Sequence, residues 1–507
     1  MACIEIENLS FTYPSRQNPT LQGITTDIPS GAFVLLTGPT GCGKSTLLRT
    51  LNGLIPHASA GILTGSVRLN GENLATQPLA TTCQQAALLF QNPEDQLFCT
   101  LVEDEIAFGL ENLGFPPEEI RERIAFALEQ VGLPNFQNRE ISSLSGGQKQ
   151  RVALAAICAM QPQVLLLDEP TSHLDPQGTR DILDIVAKLN REMGITVVLA
   201  THRTREVAPL CDHVWLMEEG QLCLDLPKTK AFQDLAPYQR LGVQVPLGDA
   251  ASSATRFSDP KTSGVAPSKN FSLSLSQLYF HYPNTDKDAV CGISCDVQRG
   301  EVLAIMGANG SGKTTLIHLI AGLLRPSAGE VSIAGKTRRR VKLHQLAGEI
   351  GIVFQNPDLL LQAKTVSDEV AFGPKNLRFP TKTLEERVTK TLTQFDLNSL
   401  AAEAPYALSR GQRQRIAVAA TFSLHPDLFL LDEPTTGQDA QHLYGLMDEL
   451  CDEIRRENKT LIFTTHDTDL TLKYADRVLL LRDGEVIFDG VPGTAFVDQD
   501  LLQQASL

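Results

Sequence analysis

The chain has 507 residues and no run of 18 or more apolar ones. A helix that crosses a bilayer needs about 20, and the longest apolar stretch here, residues 152–160, is too short. If the protein serves transport, another chain must make the pore. A secretory leader is not expected either, because the opening residues include Glu5 and Glu7. Basic residues are not in excess. The net charge of −15 argues against a broad nucleic-acid surface, which needs clustered Lys and Arg. The local patch Arg338-Arg339-Arg340 with Lys342 reads as a solvated loop. The ten cysteines include no Cys-x-x-Cys pair, and Cys291 and Cys295 have no second cluster to complete a zinc site. Scattered thiols point to a reducing compartment. There is no heptad run, which excludes long coiled-coil insertions.

What the chain does have is one set of motifs, twice, in the same order. The first phosphate-binding loop is Gly38-Pro39-Thr40-Gly41-Cys42-Gly43-Lys44-Ser45, followed by Thr46. The second is Gly307-Ala308-Asn309-Gly310-Ser311-Gly312-Lys313-Thr314, followed by Thr315. Phe-Gln-Asn-Pro comes next in each copy, with Gln91 and Gln355. Then follow Leu144-Ser145-Gly146-Gly147-Gln148 and Leu408-Ser409-Arg410-Gly411-Gln412. Asp168-Glu169 and Asp432-Glu433 end apolar runs, and His202 and His466 follow. The lysines lie 269 residues apart, and every later pair from the glutamines onward lies 264 apart. A five-residue excess in the first copy, within residues 53–71, explains the change. A period this long is a duplicated domain.

The expected organisation is a first domain over 1–242, a flexible linker over 243–270 and a second domain over 271–507. The stretch 248–269 is rich in small and polar residues, which is linker composition. Within each copy, short β-branched or leucine-rich runs alternate with helical periods, so the fold class is α/β with a mostly parallel sheet. Strands are expected at 33–37 and 302–306, at 164–167 and 428–431, and at 196–200 and 461–464. Helices are expected at 149–159 and 413–423, and a closing hairpin around Asp483-Gly484.

The chemistry follows from residue types. Glycines let backbone N–H groups turn toward anionic oxygens at the positive end of the following helix. Lys44 and Lys313 then meet the β and γ phosphates of ATP, while Ser45 and Thr314 place a hydroxyl on Mg2+. One such match arises by chance in roughly a few per cent of chains this long; two with the same companions do not. Asp168 and Asp432 close buried strands, where a carboxylate needs a reason, and holding the Mg2+ shell is one. Glu169 and Glu433, one residue on, can polarise water for attack on the γ-phosphate. The recurrence of His202 and His466 at a common offset gives them a functional reading, whereas the other eight histidines form no metal spacing. Cys42 is either a tolerated small residue or a thiol whose alkylation blocks nucleotide binding.

On these residues, and above all on Leu-Ser-Gly-Gly-Gln, the chain resembles a tandem ABC ATPase over nearly all its length. The resemblance implies two P-loop NTPase domains, each with an antiparallel β subdomain and a helical signature subdomain. It implies that each ATP is held between the phosphate loop of one domain and the signature (Ser145, Gly146, Gly147, Gln148 or Ser409, Arg410, Gly411, Gln412) of the other. It adds Gln91 and Gln355 as catalytic residues and Mg2+ ligands, Tyr13 and Tyr282 as adenine-stacking aromatics, and Asp175 and Asp439 as the D-loop pair. Arg410 departs from the pattern by replacing the first signature glycine.

The region after the glutamines resembles the energy-coupling factor group. That implies a membrane-embedded coupling subunit, a separate solute-binding membrane subunit, and a peripheral place on the cytoplasmic face of the membrane. It also implies import of a vitamin, a vitamin precursor or a transition-metal ion. Glu94, Asp95, Glu103, Glu105 and Asp358 are expected to meet basic residues on the coupling helices. The rival readings are a tandem sugar-type transporter ATPase, which typically has one degenerate half, and a soluble ribosome-associated ATPase, which typically has a long charged linker.

Overall fold

The computed structural model describes residues 2–14, 18–172, 174–243, 271–283, 287–337, 346–435 and 440–506. The expected linker from 244 onward, the Arg338–Arg340 patch with Lys342, and Asp439 lie outside the described residues. The chain divides into two compact units, one in each half.

The first unit is built on two sheets. The six-stranded sheet runs in the order Gln221–Pro227, His213–Glu218, Phe33–Thr37, Thr196–Ala200, Val164–Asp168, Ala86–Leu89. Its strands are parallel except for the antiparallel edge pair Gln221–Pro227 and His213–Glu218. The strand residues alternate between two cores, as the period of 2 demands. Phe33, Leu35, Leu165, Leu167, Val197 and Leu199 face a core shared with the helices. Val34, Leu36, Val164, Leu166, Val198 and Ala200 face a core shared with the four-stranded antiparallel sheet and the helix Lys44–Leu51. Burial on both faces is why these strands read as continuous apolar runs. The antiparallel sheet has the order Leu21–Pro29, Ala2–Thr12, Ile62–Leu69, Glu72–Asn73. A helical subdomain holds Val102–Asn112, Pro117–Gln130 and Gly146–Ala159.

The second unit repeats this plan. Its six-stranded sheet is Ile350–Val353, Leu428–Leu431, Thr460–Thr464, Val302–Met306, Arg477–Arg482, Glu485–Gly490, again with one antiparallel edge pair. The antiparallel sheet is Val290–Gln298, Phe271–Phe280, Ala328–Ile333, Lys336–Thr337. Val366–Asn376, Thr381–Gln394 and Arg410–Phe422 form its helical subdomain.

The expected strands stand where the apolar runs placed them. The signature helices differ from expectation: they begin at Gly146 and Arg410, three residues before 149 and 413. Glycine is a poor helix former, but here a capping box overrides propensity. The Ser145 hydroxyl accepts from the Gln148 N–H at 3.3 Å, and the Ser145 N–H donates to Gln148 Oε1 at 3.0 Å. Ser409 and Gln412 repeat both bonds at 3.3 and 2.9 Å. Such a cap stabilises a helix start by about 1 kcal/mol.

Candidate functional site

Strand register brings the motif residues to one edge of each parallel sheet. In the first unit Leu36 and Asp168 both pair with Ala200, and Leu89 pairs with Leu167. Gly38, Gln91, Glu169 and His202, which follow these positions, therefore emerge together at the carboxyl ends of the strands. That edge is where open α/β sheets bind ligands. In the second unit Ile305 pairs with Thr464, Leu431 with Phe463 and Val353 with Leu431, so Gly307, Gln355, Glu433 and His466 converge in the same way.

Each phosphate loop turns directly into a helix. Gly43 caps Lys44–Leu51 with φ 112°, and Gly312 caps Lys313–Ile320 with φ 100°, both in the left-handed region. A side chain at Gly38 or Gly307 would overlap the carbonyl of Met217 or Leu481 on the neighbouring strand. The loop backbone can lie this close to the sheet only without a Cβ. Lys44 Nζ donates to the carbonyls of Gly38 and Pro39 at 2.8 and 3.1 Å. Lys313 Nζ donates to Gly307 and Ala308 at 2.8 and 3.0 Å, with Glu433 Oε1 at 3.8 Å. Both lysines are buried, and burial pushes the Lys313 ammonium below its ordinary value of 10.5 against the pull of Glu433 and Asp432.

The carboxylates sit deep. Asp432 Oδ1 accepts from Thr464 Oγ1 at 2.7 Å and from Thr314 Oγ1 at 3.2 Å. Asp168 is hydrogen-bonded by Ser45. Burial raises both aspartates above the ordinary 3.8, and these hydroxyls act in the opposite direction. Glu169 and Glu433 hold left-handed backbones, φ 48° and 49°, a conformation that costs a non-glycine residue about 1–3 kcal/mol. The same strain in both copies aims each glutamate at its histidine. His202 Nε2 lies 3.2 Å from Glu169 Oε1, and His466 Nε2 lies 2.9 Å from Glu433 Oε1.

Tyr13 and Tyr282 stand against the phosphate-loop helices, their hydroxyls 3.3 and 3.1 Å from Thr46 and Thr315. Tyr282, Asn309, Lys313, Thr314, Gln355 and Glu433 share one cavity of about 680 Å³. Cys42 lies buried under the first loop with its Sγ 4.0 Å from Lys44 Nζ, and burial raises its thiol above 9.0. Burial and the raised thiol both favour the small-residue reading of Cys42 over the reactive-thiol one. Asp175 directly precedes the helix Pro176–Met193.

Three of the acidic residues after the glutamines have partners within their own unit, and one of these, Glu105, is not at the surface. Glu94 is taken by Lys149 at 2.6 Å and Asp358 by Arg413 at 3.0 Å, each a pairing with the signature helix of its own unit. Glu105 is buried, and its Oε2 accepts the N–H groups of Phe98 and Cys99 at 2.9 and 2.8 Å. Glu369 does the same for Gln362 and Ala363, both at 2.7 Å. Sequence reasoning missed Thr464, the second hydroxyl on Asp432, and the exposed apolar side chains of the helical subdomains. Phe98 and Phe108 are 64% and 46% exposed with ring centroids 4.6 Å apart, and Leu359 and Phe372 are 66% and 45% exposed.

The chain is similar in sequence to known proteins. A family model described as ABC transporter matches residues 21–172 and 290–436. A Methanosarcina mazei protein provisionally named an ABC transporter ATP-binding protein is 41% identical over 99% of this chain and 91% of its own length. A Bacillus subtilis protein provisionally named an HMP/thiamine import ATP-binding protein is 37% identical over 99% of this chain and 94% of its own. The solved structure of cbiO1 from Clostridium perfringens, described as part of the ABC transporter complex cbiONQ, is 33% identical. It covers 46% of this chain and 94% of that one with a TM-score of 0.43. The chain belongs to the ABC transporter family, as a tandem ATP-binding protein whose two domains bind and hydrolyse ATP.

Proposed function

We propose that this chain energises an importer of the energy-coupling factor type, lying on the cytoplasmic face of the membrane. The solute is then a vitamin, a vitamin precursor or a transition-metal ion. No helix among the described residues is long and apolar enough to cross a membrane, so the pathway belongs to partner chains, a coupling subunit and a solute-binding subunit. One observation carries the docking half of this reading. Each helical subdomain exposes large apolar side chains, Phe98 with Phe108 and Leu359 with Phe372, just after Phe-Gln-Asn-Pro. Exposed apolar groups mark an interaction surface when they cluster, as the Phe98 and Phe108 rings do at 4.6 Å. The likeness to a relative named for HMP/thiamine import, over nearly the whole of both chains, supports import.

In this reading the domains are 1–242 and 271–507, and they pair within one chain. Each ATP then meets the phosphate loop of one half and the signature of the other. Lys44 and Lys313 leave their loop carbonyls for the phosphate oxygens. Glu169 and Glu433 hold the attacking water and take its proton, while His202 and His466, in contact with these carboxylates, keep them in place. The oxygen donors at each edge fit Mg2+: a hydroxyl (Ser45, Thr314), a carboxylate (Asp168, Asp432) and an amide oxygen (Gln91, Gln355). Thr314 and Asp432 are already within 3.2 Å of one another. Mg2+ bound there neutralises charge on the transferring phosphate.

The test is affinity purification of the tagged chain from native membranes, followed by identification of the co-purifying membrane proteins and their bound solute. Recovery of a fully active ATPase free of any membrane protein would overturn the reading.

A further inference from the structure

A second cavity, of about 620 Å³, lies in the second unit between the phosphate-loop residues 308–311, the end of the strand Arg477–Arg482 and the helix Gln499–Ala505. It shares Asn309, Gly310 and Asp483 with the nucleotide cavity, but Lys313, Thr314 and Glu433 do not line it. Its size is that of a small-molecule site. Ser311 lines it and is 4% exposed, and the Ser311 hydroxyl meets no hydrogen-bond partner among the described residues. A buried hydroxyl left unpaired is costly.

The first unit shows the same elements tied together. The positions 264 residues back carry Glu218 for Arg482, Tyr238 for Leu502, Arg240 for Gln504 and Leu241 for Ala505. The Arg240 guanidinium donates to both carboxylate oxygens of Glu218, at 2.9 and 2.6 Å, and so joins the helix Ala236–Arg240 to the strand His213–Glu218. Tyr238 and Leu241 are buried. In the second unit both of these are replaced by smaller side chains, and the guanidinium stands on the strand instead of the helix. Gln504 offers it no carboxylate. Among the described residues Arg482 ion-pairs with Asp483 alone, at 3.7 Å, and Asp500, where the first unit has Ala236, forms no ion pair. The helix is docked all the same, since Ala505 is fully buried and Leu501 packs against the core.

We propose that this cavity binds a small zwitterion of the α-amino-acid class, and that its occupant alters ATP affinity at the second site. A ligand carboxylate can take on Arg482 the two-pronged place that Glu218 takes on Arg240. An ammonium group then meets Asp500 and Asp483, and the exposed amides of Gln503 and Gln504 serve a polar side chain. One guanidinium against two carboxylates disfavours a plain anion, a second nucleotide included, because like charges face it in excess. A plain cation leaves Arg482 unanswered. The occupant lies against Asn309 and Gly310, which also line the nucleotide cavity. Binding on one side of the loop therefore bears on the backbone used from the other, and such coupling is reciprocal.

The test is titration calorimetry of the full chain with each of the common L-amino acids in turn. The controls are the N-acetylated and the amidated forms of any that binds. One site per chain is expected, with a Kd on the order of 10 μM to 1 mM for a ligand of this size. Arg482→Gln and Asp500→Asn should each weaken it roughly 10- to 100-fold, the range for a charged hydrogen bond. Arg482→Glu with Gln504→Arg restores the ion pair of the first unit and should abolish binding, while calorimetric unfolding shows the second domain still folded. Lys44→Ala leaves ATP binding to report the second site, and Lys313→Ala the first. A saturating amino acid should shift ATP affinity about 5-fold or more in the former chain, to a plateau, and leave the latter unchanged. Binding by none of the amino acids below about 10 mM would overturn the proposal. So would equal binding of the N-acetylated or amidated form, binding that survives in the double variant, or an ATP shift that is absent or equal at both sites. Competition with ATP that never reaches a plateau would place the amino acid in the nucleotide cavity itself and would also overturn it.

Discussion

Thr464→Val is the sharpest probe of how the second site holds its buried aspartate. The Thr464 hydroxyl is fully buried; it donates to Asp432 Oδ1 at 2.7 Å and accepts the Glu433 N–H at 2.8 Å. Valine keeps the shape and removes both bonds. A hydrogen bond to a buried charge contributes about 1.5–3 kcal/mol, and an orphaned buried N–H costs about 1–3 kcal/mol more. The first unit shows how the second cost is avoided. Its equivalent residue is Ala200, and the Glu169 N–H donates to the Ala200 carbonyl at 2.9 Å. If Glu433 turns to the residue-464 carbonyl in the same way, only the charged bond is lost. The expected loss is then about 1.5–3 kcal/mol, or about 3–12 °C in the Tm of the second domain at 2–4 °C per kcal/mol. Calorimetric unfolding of the full chain should show the shift in one domain transition only. In an Asp432→Asn background the same substitution should cost about 0.5–1.5 kcal/mol, because the bond is no longer charged. A loss under about 0.5 kcal/mol, or the same loss in both backgrounds, would refute the reasoning.

Glu433→Gln and Glu169→Gln should each keep ATP binding and lower turnover, since loss of a general base typically costs about 100- to 10,000-fold at the affected site. Steady-state hydrolysis beside an ATP-binding assay separates the two effects. Arg410 replaces a signature glycine, and a lost backbone donor costs about 2.7–4 kcal/mol, partly offset by the added charge. Glu433→Gln should therefore reduce turnover of the assembled transporter about tenfold more than Glu169→Gln, with Arg410→Gly narrowing the gap; equal losses would sink that asymmetry. The pH prediction follows from Asp168 and Asp432, whose folded values burial raises above 3.8. A carboxylate raised on folding binds its proton more tightly in the folded state. Its contribution therefore favours folding at low pH and is lost as pH rises through the raised value. Mg2+-dependent ATP binding needs the ionised form, so titrated from about pH 7 to about pH 4 it should begin to weaken above the range of exposed carboxylates. ATP binding without Mg2+ should weaken less over that interval.

Much of the parallel sheet was legible because its strands are buried on both faces. The runs at 33–37 and 302–306 match Phe33–Thr37 and Val302–Met306 residue for residue. The phosphate-loop helices and the Asp-Glu strand ends were legible because chemistry there demands particular residue types at fixed spacing. The signature serine was legible as the helix start, but the bounds 149 and 413 fell three residues late, because Ser145-Gly-Gly-Gln148 is a Ser-x-x-Gln capping box that carries the helix through the glycines. The fate of the surface acids was not legible. Glu94 finds Lys149 55 residues away, and Glu105 satisfies N–H groups of a preceding turn. Neither is a periodic property of the segment that carries the acid.

The two copies agree and differ in separable places, and physics gives the reason. Both glutamates keep a backbone conformation that costs about 1–3 kcal/mol, and both lysines keep their buried place on the loop carbonyls. The recurrence of that conformation at the same position in both copies fits a glutamate whose placement matters. The means of holding the neighbouring aspartate is less constrained: Ser45 is the hydroxyl on Asp168, whereas Thr314 and Thr464 both reach Asp432. On the outer helix the constraint changes sign, with Glu111 free in one copy and Lys375 paired in the other. The two halves keep the same residue types at the strand ends, and they diverge on the exposed stripe, where a charge reversal costs the fold little.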